Sequence, residues 1–300
     1  MQVDYDASLK NQTWELVPHY PSHNIVACRW LYRIKKRPDG PRAWYNALKA
    51  YLLSMGFFKS ESDSSLFIKH AYAITVYLLV YVDDIIVTGS DHVVVQQVIS
   101  SLATHFSLKD LGPLDYFLRV EILRHSDCLF LSQSHYFSDI LQDATMQNCN
   151  PAKTPMSSSA IYHVCDGYPP TDATKYRQVV GKLQYLSFTR PDISYSINKL
   201  SQFMHTPSAL YWQAVKRVLQ YLQGTIHHGL CLRKSDALNL VMFSDADWAG
   251  DINDRTSTSG YVQFLGHNPI SRSFNKQTTI ARFSTEAEYR AVASGLAKTT

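Results

Sequence analysis

Hydrophobic and polar positions along this chain follow two alternating periods. In Pro41–Phe57, "PRAWYNALKAYLLSMGF", apolar side chains recur at Trp44, Leu48, Tyr51 and Leu52, a spacing that predicts an amphipathic helix. Ala73–Ser90, "AITVYLLVYVDDIIVTGS", reads differently. Its β-branched and aromatic runs flank Asp83-Asp84, which predicts two buried strands joined by a tight turn. "DHVVVQQVISSLATHF", Asp91–Phe106, returns to helical spacing. "LDYFLRVEIL" and "CLFLSQSHY" then read as a strand pair around the polar loop "RHSD". Near the start, "IVACRWLYRI", Ile25–Ile34, has a strand pattern ending in the basic turn "KKRPDG".

Between Asn148 and Asp172 the chain turns to Pro, Ser, Thr, Asn and Asp, a linker composition. A helical block follows. Its last member, in "HTPSALYWQAVKRVLQYLQGT", has Thr206 or Ser208 as a start signal and Gly224 as a stop. Its apolar stripe runs through Leu210, Val215, Val218, Leu219 and Leu222. The pattern is strand-rich again in "LNLVMFSDADWAG" and "SGYVQFLG", and "STEAEYRAVASGLA" is one more helix. The predicted layout is α+β, then a helical connector, then a second α/β piece, with no internal repeat or heptad run.

Composition narrows the class without naming a function. The 300 residues are 45% hydrophobic and 18% charged, as in ordinary globular proteins. A formal charge of +4 permits a nucleic-acid partner, but a basic footprint needs clustering on one face. The five cysteines (Cys28, Cys128, Cys149, Cys165, Cys231) are scattered and never spaced CxxC, so they read as reduced thiols and not as a disulfide frame or zinc knuckle. His163 and Cys165 lie two apart without a second ligand pair. The longest apolar run, Ala71–Val82, is too short to cross a bilayer, and the N-terminus lacks a signal-peptide pattern. The expectation is a soluble protein of the cytoplasm or nucleus, with no membrane partner.

The candidate chemistry centres on Asp83 and Asp84. At a tight turn two adjacent carboxylates approach one point, where they repel unless a cation intervenes. A pair of Mg²⁺ ions would resolve the conflict and supply a phosphoryl-transfer site. Asp is also a good turn former, and a bare pair between strands reads as a turn first.

The wider sequence bears on that choice. "YVDD" between apolar strands resembles the catalytic hairpin of reverse transcriptases. "TWELVP", "SDSSLF", "LKDLGPLDYFL", "YRQVVGKLQYLSFTRPDISYSINKLSQFMHTPS", "YWQAVKRVLQYLQGT", "FSDADWAGD", "STSGYVQFLG" and "STEAEYRA" follow in an order that resembles the Pol polyprotein of copia-type LTR retrotransposons over nearly the whole chain. Arg119, in "YFLRVEI", stands where that family usually has glycine.

The resemblance implies a fold and its gaps. It implies the remnant of a right-hand polymerase palm with helical thumb and connection, followed by a partial RNase H-like domain. In residue ranges these are a fingers-like remnant (1–40), the palm with its hairpin (41–147), a linker with thumb helices (148–236) and a truncated RNase H-like piece (237–300). Family members use Mg²⁺ or Mn²⁺, an RNA or DNA template–primer and deoxynucleotides, and a partner of this chain could be an intact Pol copy. Their polymerase needs a third aspartate from an earlier palm strand. Asp4, Asp6, Asp39 and Asp63 precede the hairpin, and none ends an apolar strand. The family's segment between the "DG" turn and "PRAWY" carries that aspartate, whereas here Gly40 is followed directly by Pro41. The expectation is an internally deleted chain whose hairpin pair, Asp83 and Asp84, lacks its third ligand and does not polymerise.

A second carboxylate set matches the family's RNase H positions. Asp245 ends an apolar strand and Glu288 lies in the first turn of the following helix. Asp247 and Glu286 are weaker candidates. Thr285-x-x-Glu288 is also a capping box, so spacing alone leaves Glu288 open between a ligand and a cap. The family's later RNase H aspartates are absent, and a partial ligand set is expected here too. For nucleic acid, the candidates are Arg33, Lys35 and Lys36 (with Arg37) in the basic turn, and Lys216 and Arg217 on the connector helix. A solvated turn explains the first group as well. Trp212 and Tyr221 read first as core aromatics. Three readings stay open: an active polymerase with RNase H, a catalytically dead fragment, and a non-enzymatic nucleic-acid binder.

Overall fold

The computed structural model describes residues 40–71, 74–82, 84–106, 108–157, 162–163, 167–234 and 239–298. The strand pattern at Ile25–Ile34 and the basic turn after it lie outside these residues. The chain divides into two compact units, 1–114 and 115–300, so it is a mixed α and β protein in two parts.

In the first unit, helix α1 (Gly40–Ser54) precedes an antiparallel sheet of β1 (Phe58–Lys59), β2 (Leu66–Ala71), β3 (Ile74–Tyr81) and β4 (Asp84–Gly89), in that spatial order. Helix α2 (His92–Phe106) closes the unit. The helical period of α1 buries Leu48 and Leu52, and the twofold period of β3 buries Val76, Leu78 and Val80 while exposing Tyr77. Val98 and Leu102 of α2 complete this core with Phe67. Each such side chain contributes about 1.5–3 kcal/mol by leaving water. Asp91 starts α2 by accepting the Val93 and Val94 N–H groups at 2.8 and 3.0 Å. At the far end of β4, Gly89 passes so close to β3 that a Cβ would lie 2.8 Å from the Thr75 carbonyl oxygen.

The second unit holds two sheets and the main helical core. β5 (Tyr116–Phe117), β6 (Val120–Arg124), β7 (Cys128–Ser132) and β8 (Leu230–Arg233) form one antiparallel sheet in that order. Between β7 and β8 the chain passes through α3 (Ser134–Ala144), α4 (Ala173–Leu186), a 3-10 turn (Pro191–Ile193), α5 (Ser194–Ser201) and α6 (Ala209–Gly224). Tyr176, Leu183, Ile197, Leu200, Tyr211, Val215, Val218, Leu219 and Leu222 pack these helices together. Asp172 caps α4 through the Thr174 and Lys175 N–H groups. The second sheet, ordered β11 (Asn268–Lys276), β10 (Thr258–Leu265), β9 (Leu240–Ala246), carries α7 (Ser284–Leu296) against β9 and β10. Asn268 joins the two sheets by exchanging amide bonds of 2.7 Å with the Arg233 backbone.

One expectation needs correction, and a second is narrowed. The strand read through Tyr136 stops at Ser132, and helix α3 starts at Ser134. The cause is Glu121 on β6, whose carboxylate accepts the Ser134 hydroxyl at 2.9 Å and the His135 N–H at 2.9 Å, anchoring a new helix. Tyr136, Phe137, Ile140 and Leu141 then form its buried stripe. Of the two proposed starts for α6, Ser208 is the one that precedes the helix, yet its side chain makes no cap bond.

Candidate functional site

β3 and β4 are joined by the shortest ordinary hairpin connection. Tyr81 pairs with Asp84, leaving Val82 and Asp83 as the loop. Val82 has φ +52°, in the left-handed region that a β-branched residue avoids. Holding it there costs about 1–3 kcal/mol. Asp84 is the first residue of β4 and is exposed. Asp83 lies outside the described residues. Asp63, in the turn between β1 and β2, sits at the same end of the sheet, because the Val80 N–H donates to the Ser65 carbonyl at 2.9 Å. Two strand spacings, about 10 Å, separate its strand from β4. Its carboxylate accepts the Ser65 hydroxyl and N–H at 2.6 and 2.8 Å, and these bonds hold it below the usual carboxylate range. Both bonds fall on Oδ1, so it acts as the acceptor that shapes its own turn.

In the second sheet Asp245 lies opposite Gly260 and is exposed. Asp247 turns back: it accepts the Thr258 N–H and lies over Gly250. Glu288 is half-buried on α7. The capping box assigned to Thr285 and Glu288 is not the one that forms. The cap position is Phe283, and Glu286 reaches back to accept the Arg282 N–H at 2.7 Å. Arg290, one turn on, pairs with Glu286 at 2.6 Å. The register is shifted by two residues, which releases Glu288 from the cap. Among the described residues, no group of three or more His, Cys, Asp or Glu side chains is placed to hold a metal ion. The described carboxylates among them, Asp63, Asp84, Asp245, Asp247 and Glu288, therefore do not gather around a shared divalent cation, and no chemical step is routed through one.

Arg33, Lys35 and Lys36 lie outside the described residues. Lys216 is exposed on α6, whereas Arg217 is half-buried and donates to the Thr154 hydroxyl at 2.8 Å. Trp212 lies beneath the Lys175 ammonium, 5.8 Å from its ring centre, and packs on the helical core. Tyr221 donates to Asp192 at 2.8 Å. The structure thus brings Lys216 and Arg217 onto one helix with different exposures.

Residues 31–158 match the reverse transcriptase (RNA-dependent DNA polymerase) family. Over 274 residues, 91% of the chain, it is 50% identical to a retrovirus-related Pol polyprotein from transposon RE1 of Arabidopsis thaliana. It is 47% identical over 75% of its length to an uncharacterized mitochondrial protein of Arabidopsis thaliana, covering 93% of that protein. It is 32% identical to a transposon Ty5-1 protein of Saccharomyces cerevisiae, covering 84% of it. The chain belongs to the copia-type retrotransposon Pol family. It spans 18% of the length of the RE1 polyprotein. No solved structure matches it.

Two features of this Pol-family chain were not read from its sequence. Asp251, 3% exposed, accepts Lys276 at 2.8 Å, Lys199 at 3.5 Å and the Asn253 N–H at 2.9 Å, and Asp254 pairs with Lys276 at 2.8 Å. Burial pushes the Asp251 carboxyl up, but Lys276, Asn253 and Lys199 outweigh it and hold the group well below the usual range. Arg190, 5% exposed, forms a bidentate pair with Asp192 at 3.0 and 2.7 Å and donates to the Thr225 carbonyl and hydroxyl. The available signal was polar residues in "TRPDIS" and "AGDINDR", which pattern reading assigns to loops. No helix among the described residues is long and apolar enough to cross a membrane.

Proposed function

We propose that this chain is a reverse transcriptase and RNase H portion of a copia-type Pol polyprotein in a form that does not catalyse polymerisation. Its palm-derived part spans 41–147, its thumb-like helices 148–236 and its RNase H-like part 237–300. The observation that carries this reading is the β3–β4 turn. A valine at φ +52° is poor turn chemistry, and strain of that kind persists where a turn's shape serves the presentation of its neighbours, here Asp83 and Asp84.

The lack of activity follows from the missing ligand. Divalent-cation catalysis of phosphoryl transfer needs carboxylates converging on both ions. Asp63, the described aspartate at the same end of the sheet, accepts from Ser65 through one carboxylate oxygen, and the strand it precedes lies two strand spacings, about 10 Å, from β4. Nucleic acid is the natural partner, with exposed Lys216 on α6 and the basic turn at Arg33, Lys35 and Lys36 as phosphate contacts. In the RNase H-like part, Asp245 and Glu288 are remnants of a ligand set.

The test is primer extension by the full chain on a primed RNA or DNA template with Mg²⁺ or Mn²⁺. The expected result is no incorporation above that of the Asp83→Asn/Asp84→Asn variant. Incorporation that Asp83→Asn abolishes would overturn the reading and establish an active polymerase.

A further inference from the structure

A groove in the second unit collects groups that the proposed function leaves unused. It lies between the end of α4, helix α5 and strand β11, and has a volume of about 510 Å³. That is the size of a small-molecule site. Phe188, Ile197, Ile270 and Phe274 supply its apolar lining. Phe188 and Ile270 are each 54% exposed, so apolar surface at the mouth is open to water.

Polar groups interrupt that lining. Arg272 is half-buried on β11, and one guanidinium nitrogen, Nη2, donates to the Ser187 and Phe188 carbonyls, the latter at 2.8 Å. Both acceptors are neutral. Among the described residues its Nε and Nη1 groups have no acceptor, and no carboxylate pairs with it. Burial holds the guanidinium below its ordinary range, and the Asp192 charge, already paired with Arg190, offsets this only in part. A charge drawn away from water without a counter-ion is costly. Asn198, on the α5 wall, has a side-chain amide that meets no partner among the described residues. One turn earlier on the same helix, the Ser194 hydroxyl is closed off from solvent with nothing bonded to it. Folds usually satisfy such groups, so three orphans around one groove point to a ligand.

Charge and lining together select its chemistry. The free N–H groups of Arg272 call for an anion with oxygen acceptors. A bare inorganic anion would leave Phe188, Ile270 and Phe274 in water, whereas an anion joined to an aromatic body covers them. We propose that this groove binds a small aromatic carboxylate, its ring against Phe188, Ile270 and Phe274 and its carboxylate on Arg272 and Asn198. The bound acid supplies the counter-charge that Arg272 lacks, and the Asn198 amide donates to its second oxygen.

The test titrates the full chain with 2-naphthoate by calorimetry, with 2-naphthylmethanol and inorganic phosphate as controls. One naphthoate should bind per chain. The alcohol should bind at least about 10-fold more weakly, and phosphate at equal concentration should not displace the acid. Arg272→Gln should weaken naphthoate binding by about 10-fold or more, through loss of charge-assisted hydrogen bonds. Ile270→Trp, which fills the groove from an exposed position, should abolish binding. Circular dichroism checks that each variant folds, and Ile270→Trp carries the test if Arg272→Gln does not fold. No binding by the wild type up to about 1 mM, equal binding of the alcohol, displacement by phosphate, or unchanged affinity in both variants would each overturn the site.

Discussion

Asp84 and Asp251 both lie next to turns, and the fold treats them in opposite ways. Asp84 stands exposed at the start of β4, two residues after a left-handed valine. Asp251 is withdrawn from solvent, with two lysines and a backbone N–H on its carboxylate. The conspicuous motif is where the chain accepts strain, and the inconspicuous loop is where it invests its electrostatics. Function-type positions tend to be presented, and structural ones satisfied.

The largest test of that contrast removes each carboxylate. Asp251→Ala should cost about 2–4 kcal/mol, because it strands Lys199 and Lys276 without their shared partner. Asp84→Ala should change stability by less than about 0.5 kcal/mol. Urea unfolding followed by hydrogen exchange in β10 and β3 measures both, and equal losses would erase the distinction.

Acid should act on the same carboxylate. Its folded-state pKa lies below that of the unfolded chain, so its stabilisation is complete above the ordinary carboxylate value of about 4. That contribution is lost as pH falls below this point. Thermal unfolding between about pH 2 and 6 should show a falling acid limb in the wild type, and Asp251→Asn should flatten it. An unchanged limb would mean that other groups dominate.

Smaller effects probe the two strained turns. Val82→Gly should stabilise the first unit by about 1 kcal/mol, since glycine adopts positive φ without a Cβ clash. Arg119 poses the same question in the second unit. Leu118 and Arg119 form the two-residue loop between Phe117 and Val120, with φ +48° and +62°. That is the turn in which glycine is favoured, which gives a physical reason to expect glycine in place of Arg119. Arg119→Gly should gain only about 0.5 kcal/mol, because the arginine also lies 5.2 Å from the Tyr136 ring centre and 3.4 Å from Asp139. Chemical denaturation of both variants ranks them. A larger gain at Arg119 would reverse the order of strain.

Much of the local structure was legible because it follows strong periods. The helix over Trp44, Leu48 and Leu52, the β3–β4 pair and the α6 stripe all formed where the pattern placed them. What escaped depended on partners far along the chain. α3 begins at Ser134 because of Glu121, and β11 ("NPISRSFNK") pairs with β10 despite a polar composition with little strand signal. Glu288 lost its cap role because the helix began two residues from the position its motif suggests. At the candidate site, the hairpin that begins its second strand at Asp84 was legible and the strain at Val82 was not, since φ leaves no mark on a residue's identity. The pairing of β7 with β8 was equally hidden.

That pairing joins strands separated by the helical core, which bears on the order of assembly. Strand β7 ends at Ser132 and its neighbour β8 begins at Leu230. Closing a loop of about a hundred residues costs only a few kcal/mol of chain entropy, yet long-range pairing of this kind slows folding. During synthesis β7 remains an open sheet edge until the whole helical core has emerged. The helices, stabilised by neighbours close in sequence, would be in place first, and docking of β8 would be the late event that commits the second unit. A chain interrupted before Leu230 would keep its helical core and lose the strand that shields β7.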